Sequence, residues 1–379
     1  MKKSKSIYLD SASTSKVDSR VLEEMIPYFS DYFGNASSKH QFGGNSKQAI
    51  EIARKQVANI INCEDSEIIF TSGATESINL AIKGYVEANT NKGNHIITVK
   101  TEHKAVLTTC EYLETKGTEV TYLDVDENGL ISLDQLRDSV RKNTLLIVIM
   151  YVNNEIGIIQ PIKEIGTIAN DNNITFLCDA TQAVGKVNVH VEEDCIDMLC
   201  FSGHKLNGPK GIGVLYKRSN IEITPLLHGG GQEKGLRGGT YNTPAIIGLG
   251  KACELAKKEM IEVNFKYNKL NNYLIESISK ITTFHLVSNK ELGVPNIINL
   301  IIPKLESDIF IGSFKNIAIS NGSACNSELL EESHVLRAIK PDKFNKNNAL
   351  RISIDKFSSK EDIDFFCDLL KKHLKLKYA

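Results

Sequence analysis

The sequence predicts an α/β fold, with a mostly parallel seven-stranded sheet in a large domain and a smaller α+β domain after it. From about residue 65 to residue 220, near-continuous apolar runs of strand length alternate with segments of helical period. Strands that are apolar on both faces are typical of a parallel sheet covered by helices. The length of 379 residues also exceeds one ordinary core, which favours two domains or one large α/β domain. The runs predicted as strands are Glu67–Phe70, His95–Val99, Val120–Leu123, Leu145–Met150, Ile174–Cys178, Asp197–Phe201 and Gly213–Tyr216.

Helical periodicity fills the segments between these strands, for example over Ser77–Ala88 and Ile162–Asn170. A longer helix is predicted to begin at Thr243-Pro244, with the threonine as its cap and the proline in its first turn. Apolar residues recur in it every three or four positions over residues 246–274. We expect a helix of this length to bridge two domains.

The C-terminal third of the chain is predicted to form the smaller α+β domain. Its predicted strands are Thr282–Val287 and Asn296–Ile302, and its predicted helices are Ser307–Lys315 and Lys360–Lys375. The expected division is a large domain over residues 15–255 and a small domain built from residues 1–14 and 256–379.

Composition excludes several classes of protein. The formal net charge of −1 argues against direct nucleic-acid binding, which normally requires a basic excess. No apolar run approaches membrane-spanning length, and the N-terminal "MKKSKSIYLD" lacks the apolar stretch of a signal peptide, so we expect a cytoplasmic protein. The eight cysteines form no CxxC pair, so no metal site is expected. Cys325 differs from the rest because it lies in the polar run "SNGSACNSE".

Five polar clusters directly follow five of the predicted strands. They are "TSGATES" (71–77), "KTEHKA" (100–105), "YVNNEIG" (151–157), "DATQ" (179–182) and "SGHK" (202–205). In open α/β sheets, ligands bind beyond the carboxyl ends of the strands. All five clusters are therefore expected to face one crevice.

The first and last of these clusters suggest a phosphate site. "SGAT" before a helix offers backbone N–H groups at a helix N-terminus, which bind anions, although taken alone it also fits an ordinary helix start. Ser202 and His204 add donors to the same crevice, and Thr240 in the glycine-rich loop "HGGGQEKGLRGGT" offers another. The pattern differs from a P-loop.

Three further residues indicate which ligand the crevice binds. Asp179 ends a buried strand, where an unpaired carboxylate is costly, so it needs a cation or a protonated ring nitrogen as a partner. His103 offers a flat ring or a proton carrier, although a lone histidine is as often structural. Lys205 lies in the crevice, where desolvation and neighbouring charges make an amine nucleophilic. A phosphate site, an acid for a pyridinium and a lysine for an aldehyde are the requirements of pyridoxal phosphate.

These residues lie in motifs that resemble the cysteine desulfurases of the NifS/IscS type, which are class V aminotransferases. The resemblance covers almost the whole chain and implies the aspartate-aminotransferase-like pyridoxal-phosphate fold of type I. The motifs that carry it are "YLD", "GNASS", "FTSGATES", "NLAIKG", "KTEHKAV", "VNNEIG", "DATQAVGK", "SGHK", "GPKGIG", "HGGGQE", "SNGSACNS", "SHVLRAI" and "LRIS".

The resemblance implies roles around pyridoxal 5′-phosphate. Lys205 binds the aldehyde and later moves protons, while Asp179 keeps the ring nitrogen protonated. His103 stacks on the ring and acts in acid–base steps, and Gln182 bonds the phenolic oxygen. The residues implied for the phosphate are Ala74, Thr75, Ser202 and His204, together with Thr240 from the neighbouring subunit of an obligatory homodimer.

The resemblance also implies how the substrate is handled. Asn154, which also contacts the cofactor, and Arg351 hold the carboxylate of L-cysteine, the arginine through a two-pronged contact. Cys325 is the implied nucleophile: its thiolate takes the substrate sulfur as a persulfide, and L-alanine leaves. The persulfide is then passed to an acceptor protein. The glycine- and serine-rich sequence around Cys325 suits a loop that carries sulfur from the crevice to that acceptor.

Alternatives remain open at this stage. A selenocysteine lyase, or another pyridoxal-phosphate lyase of the same fold, fits the same motifs, and a catalytically silent scaffold is a third possibility. The acceptor could serve iron–sulfur cluster assembly, tRNA thiolation or DNA phosphorothioation. The chain ends at Ala379, where housekeeping members of the family continue into a tail that docks the iron–sulfur scaffold, so a specialised acceptor is a real alternative.

Overall fold

Strands and helices alternate along most of the chain in a computed structural model, which describes residues 6–303, 305–321, 333–339 and 346–377. The strands are β1 Ile7–Tyr8, β2 Ile68–Thr71, β3 His95–Val99, β4 Glu119–Leu123, β5 Thr144–Val148, β6 Thr175–Asp179, β7 Met198–Ser202, β8 Gly213–Lys217, β9 His285–Leu286, β10 Ile297–Ile301, β11 Ile317–Ala318 and β12 Ala349–Ser353. The helices are α1 Ser19–Met25, α2 Pro27–Ser30, α3 Gln41–Ile61, α4 Ala74–Ala88, α5 Lys104–Glu114, α6 Leu133–Ser139, α7 Ile162–Asp171, α8 Thr243–Ser279, α9 Ser307–Ser313, α10 His334–Ile339 and α11 Lys360–Lys377.

Among the described residues, the central sheet has seven strands in the order β2-β8-β7-β6-β5-β3-β4. Only β8 runs antiparallel to its neighbours in this sheet, and the other pairings are parallel. The prediction of a mostly parallel seven-stranded sheet is therefore confirmed. Strands β5, β6 and β7 are buried at every position, as their continuous apolar sequences predict.

Helix α8 begins one residue away from its predicted cap. The Asn242 side chain, rather than that of Thr243, accepts a hydrogen bond from the backbone N–H of Ala245. The prediction that Thr243 is the cap is wrong: Thr243 is the first helical residue and Pro244 follows it in the first turn. An asparagine oxygen satisfies the helix N-terminus as well as a threonine hydroxyl does, so the choice between adjacent residues depended on the backbone.

Among the described residues, two smaller sheets are built mainly from the C-terminal part of the chain, with one strand from the N-terminus. Strand β10 pairs in an antiparallel manner with β12 and β9, and β1 pairs in parallel with β11. The predicted strand Thr282–Val287 is reduced to β9, because only two of its residues pair with β10. The pairing of β1 with β11 brings the N-terminus of the chain next to these C-terminal strands.

Helix α8 contributes to two hydrophobic clusters. Leu249 and Cys253 pack in the cluster that includes the apolar residues of the central sheet. Leu270 and Leu274 pack instead with β1, β10, β12 and α11. This arrangement is what a bridging helix requires, and the division at residues 15 and 255 remains a prediction.

The longest described helix, α8, is rich in charged residues. A helix that crosses a bilayer needs about 20 mostly apolar residues, whereas the 37 residues of α8 include many lysines and glutamates. Within the described ranges, no helix is both long and apolar enough to span a membrane.

Candidate active site

All five polar clusters contribute to one cavity of about 880 Å³ at the carboxyl ends of the parallel strands. The cavity is also lined by Ala12, Ser13 and Thr14, which follow β1, and by Arg351 of β12. The expectation that the clusters share one crevice is met, and the C-terminal sheet closes part of its wall. The predicted site residues that line it are Ala74, Thr75, His103, Asn154, Asp179, Gln182, Ser202, His204, Lys205 and Arg351.

Lys205 ends a single 3-10 turn that follows β7. Its Nζ donates hydrogen bonds to the carbonyl oxygens of Ala12 (2.6 Å) and Ser13 (2.7 Å). The turn favours glycine at position 203, because a Cβ there would make tight contacts of 3.0 Å with both the Pro209 carbonyl oxygen and Ile212. The local sequence "SGHK" thus places the lysine amine on the cavity wall, against the backbone of the N-terminal segment.

Asp179 and His103 stand on neighbouring parts of the same wall. Asp179 is the last residue of β6 and accepts a hydrogen bond from the backbone N–H of Thr181 (2.9 Å). His103 caps α5, since its Nδ1 accepts the backbone N–H of Ala105 (3.1 Å). Burial lowers the pKa of His103, and the Asp179 carboxylate opposes this shift. His103 therefore has the structural role of a helix cap and also lines the cavity, with Nε2 as the nitrogen that can exchange a proton.

The N-terminus of α4 borders the cavity and has the features that suit an anion. The helix is preceded by Gly73, and no side chain caps it. The Ser202 hydroxyl lies 3.9 Å from the position that a Cβ on Gly73 would occupy. Free N–H groups and the positive end of the helix dipole attract anions at such a point. His204 stands nearby with its Nδ1 3.1 Å from Thr14 Oγ1, and burial followed by the charge of Lys205 lowers its pKa to about 4.

Arg351 is held in the wall by contacts with three different residues. Its Nη1 donates to the backbone oxygen of Asn154 (3.0 Å), and its Nη2 donates to Asp10 Oδ1 (2.8 Å) and Ser13 Oγ (2.6 Å). In the part of the chain that the structure describes, Arg351 Nε is buried without a hydrogen-bond partner. The predicted pair of Asn154 and Arg351 is thus in direct contact, and Asp10 supplies the counter-charge. A buried guanidinium with an unused donor is suited to bind a carboxylate.

Glu155 is a wall residue that the sequence reasoning missed. Its carboxylate accepts a hydrogen bond from the Ser333 hydroxyl (2.5 Å), and burial raises its pKa to about 7. His334, which follows Ser333 in the chain, has its Nε2 2.8 Å from the backbone oxygen of Glu102. Glu155 lies in the motif "VNNEIG", and Ser333 and His334 lie in "SHVLRAI". The presence of both motifs could have indicated these residues, but no local sequence feature shows that the two motifs meet in the fold.

One predicted residue, Thr240, does not line the cavity. Thr240 is exposed and follows Gly239, whose φ of +114° requires glycine. Cys325 lies outside the described residues. No group of three or more histidine, cysteine, aspartate or glutamate side chains that could hold a metal ion is found in the described ranges.

Comparison with known proteins gives consistent matches over nearly the full length. The model of the family described as aminotransferase class-V matches residues 7–366. A cysteine desulfurase IscS from Ehrlichia chaffeensis is 45% identical over 373 residues, which cover 97% of this chain and 91% of that protein. A solved structure of a NifS-like protein superposes with a TM-score of 0.92 at 36% identity and covers 98% of this chain and 100% of its own. A solved structure described as SspA in complex with cysteine has a TM-score of 0.82 at 40% identity, with 94% and 100% covered.

Proposed function

The chain belongs to the class-V aminotransferase family, and from this premise we propose that it is a pyridoxal-phosphate-dependent cysteine desulfurase. It takes sulfur from L-cysteine and releases L-alanine. The observation that carries the proposal is the convergence of Lys205, Asp179, His103 and the N-terminus of α4 on one cavity. The relatives named cysteine desulfurase, and the similar structure solved with cysteine, support the choice of substrate.

The cavity residues fit pyridoxal phosphate. The uncapped start of α4 at Ala74 and Thr75, with Ser202 and His204 beside it, suits a phosphate. Asp179 suits a protonated ring nitrogen, and Lys205 suits the aldehyde. A volume of about 880 Å³ lies within the usual range for small-molecule sites. When bound, this cofactor supplies an electron sink that weakens the bonds to the α-carbon of an amino acid.

Proton transfer falls to two side chains of this cavity. Lys205 has three N–H donors and lies against two backbone carbonyls, so its amine holds a proton in place next to the reacting atoms. Burial lowers the pKa of His103, which favours its neutral form, and its Nε2 exchanges a proton while Nδ1 stays bonded to the start of α5. Lys205 thus has two roles, since it would bind the cofactor aldehyde and also hold a proton, whereas in the reaction His103 serves only to relay protons.

The substrate carboxylate is assigned to Arg351 and Asn154. Arg351 is fixed by Asp10 and Ser13, which keeps its planar group oriented before the substrate arrives and lowers the cost of binding. The thiolate of Cys325 then attacks the sulfur of the bound cysteine. The carbon–sulfur bond breaks as the sulfur–sulfur bond forms, and its electron pair stays with the substrate carbon, which takes up a proton so that alanine can leave. Cys325 then carries a persulfide for delivery to an acceptor protein.

We further propose that the active form is a homodimer. Phe33 and Phe42 are each more than half exposed, and their rings lie 5.9 Å apart. A cluster of exposed aromatic rings on one surface is typical of an interface. Thr240 is exposed and away from its own cavity, which is consistent with a contact to the phosphate of a neighbouring subunit.

The proposal is tested with purified protein, pyridoxal phosphate and L-cysteine. We expect a visible absorption band, alanine and, with a thiol reductant, sulfide. Cys325→Ser is expected to keep the absorption band and to lose sulfide release, with Cys63→Ser as the matched control. An absent band in the wild-type protein would disprove the proposal. Alanine from selenocysteine but none from cysteine would instead assign a selenocysteine lyase.

A further inference from the structure

Lys186 places a second ammonium group next to the cavity. It lies in the "DATQAVGK" segment after β6, and only 8% of the residue is exposed. Its Nζ donates a hydrogen bond to Oε1 of Gln182 (2.7 Å). Gly185 precedes it in the left-handed region with a φ of +78°, and a Cβ on Gly185 would lie 3.0 Å from Ala256 Cβ. A buried lysine is costly to maintain, so this one calls for an explanation.

The contact fixes which end of the Gln182 amide faces Lys205. An ammonium group donates hydrogen bonds and accepts none, so the atom that faces Lys186 must be the amide oxygen. The amide nitrogen then points the other way and donates to the Ala12 carbonyl oxygen (2.8 Å). The same oxygen accepts a hydrogen bond from Lys205 Nζ (2.6 Å). The N–H end of Gln182 is therefore held beside the amine of Lys205.

We propose that Lys186 is a positioning residue of this enzyme, which holds the Gln182 amide with its N–H groups directed toward Lys205. The inference rests on the proposed function, because the group that receives these N–H donors is the phenolic oxygen next to the cofactor's aldehyde. An amide that turned over would present its carbonyl oxygen to that oxygen, and two acceptors repel each other. Lys186 thus determines whether Gln182 presents a donor or an acceptor to the phenolic oxygen, although Lys186 does not contact that oxygen itself.

The charged groups around Lys186 determine the pH range in which Lys186 holds the Gln182 amide in place. Lys205 and Asp355 face it, and Glu259 and Lys356 line a small cavity of about 30 Å³ that both Lys186 and Lys205 border. Burial, followed by the charge of Lys205, lowers the pKa of Lys186 to about 7, and Asp355 opposes the shift. A neutral amine can also accept a hydrogen bond, so the orientation is fixed most firmly below that pKa.

The test is a pH titration of the visible absorption of the holoenzyme, which reports the protonation of the Lys205 nitrogen bound to the cofactor. N–H donation to the phenolic oxygen stabilises its anionic form and makes that nitrogen less basic. Lys186→Met removes the donor at similar volume, so the midpoint is expected to rise by about one pH unit. Lys186→Arg keeps a donor-only cation and is expected to retain the wild-type midpoint. Lys217→Met, which removes a half-buried lysine at the end of β8, is the matched control.

The possible results distinguish failure of the role proposed for Lys186 from failure of the proposed function. An unchanged midpoint in Lys186→Met, in an enzyme that still forms alanine, overturns the role of Lys186 alone. A wild-type protein with no visible band overturns the proposed function itself. In a Gln182→Met background, Lys186→Met should cause a smaller shift, limited to the lost charge repulsion between Lys186 and Lys205. A shift as large as in the wild-type background would show that Lys186 does not act through Gln182. If Lys186→Met does not fold, Lys186→Gln replaces it, because its amide fixes neither orientation and the same rise is expected.

Discussion

Arg351 places a positive charge in a side chain that is about 1% exposed, so its partners decide what it can bind. Asp10 balances the charge, and the Asn154 carbonyl and Ser13 hydroxyl take two more of its N–H groups. This leaves the guanidinium oriented but still able to bind a carboxylate. The sequence motif "LRIS" indicated the arginine, while the pairing with Asp10 joins residues 341 positions apart and has no local signature.

Replacing Arg351 with lysine tests its substrate role. A lysine keeps the charge but loses the planar fork, so the KM for L-cysteine is expected to rise about 10- to 100-fold, with a smaller change in kcat. The measurement is steady-state alanine formation over a range of cysteine concentrations. Arg141→Lys, at an exposed pair with Glu119, should leave KM unchanged. An unaltered KM in Arg351→Lys would remove this residue from the substrate site.

The pKa of Glu155 predicts a pH-dependent loss of stability. Burial raises its pKa to about 7, above that of an unfolded glutamate, so the folded state favours the protonated form. The stabilisation from this proton is complete below about pH 4 and is lost as pH rises through 7. Glu155→Gln imitates the protonated form. The stability of Glu155→Gln relative to the wild type should therefore increase by roughly 2.5 kcal/mol between pH 5 and pH 8.

Urea unfolding of both proteins at pH 5 and pH 8 measures this difference. Glu127→Gln, a substitution at an exposed turn residue, is the control and should show the same stability difference from wild type at both values. If Glu155→Gln also shows the same difference at pH 5 and pH 8, then the carboxyl does not titrate in this range and the assigned environment is incorrect.

The start of α4 depends on a close approach between two elements. Strand β8 passes so near the helix that a Cβ on Gly213 would lie 2.5 Å from the Gly73 Cα and 3.0 Å from the Ala74 nitrogen. These are backbone atoms, which cannot move aside as a flexible side chain can. The antiparallel strand β8 therefore fixes where the N–H groups of the helix point.

Gly213→Ala is expected to displace the start of α4 and to weaken cofactor binding about tenfold or more, at a stability cost of about 1–3 kcal/mol. The affinity is measured by titrating the apoprotein with pyridoxal phosphate and following the visible absorption. Gly312→Ala, in helix α9 where a Cβ meets nothing within 4 Å, is the control and should bind normally. Equal affinity in Gly213→Ala and wild type would show that the helix start does not hold the phosphate.

The sequence indicated most of the central sheet and failed at features that depend on contacts between distant segments. Strands β5, β6 and β7 are continuous apolar runs, so their burial was readable from composition. The residues after them were found because parallel strands end at one edge. The sequence did not indicate the contacts of Asp10 with Arg351 and of Glu155 with Ser333, because each joins parts of the chain more than 150 positions apart. The same holds for Lys186, whose role depends on the orientation of one amide.

The proposed dimer makes a quantitative prediction about mixed subunits. If Thr240 serves the cofactor of its neighbour while Lys205 serves its own, a dimer of one Lys205→Ala and one Thr240→Ala subunit has one doubly altered site and one intact site. Random pairing makes about half of the dimers mixed, so the co-expressed variants should recover about one quarter of wild-type activity. Each variant alone should be nearly inactive. Sedimentation must show that each variant and the co-expressed mixture are dimers. If the mixture is no more active than the separate variants, Thr240 serves its own subunit's site or no site.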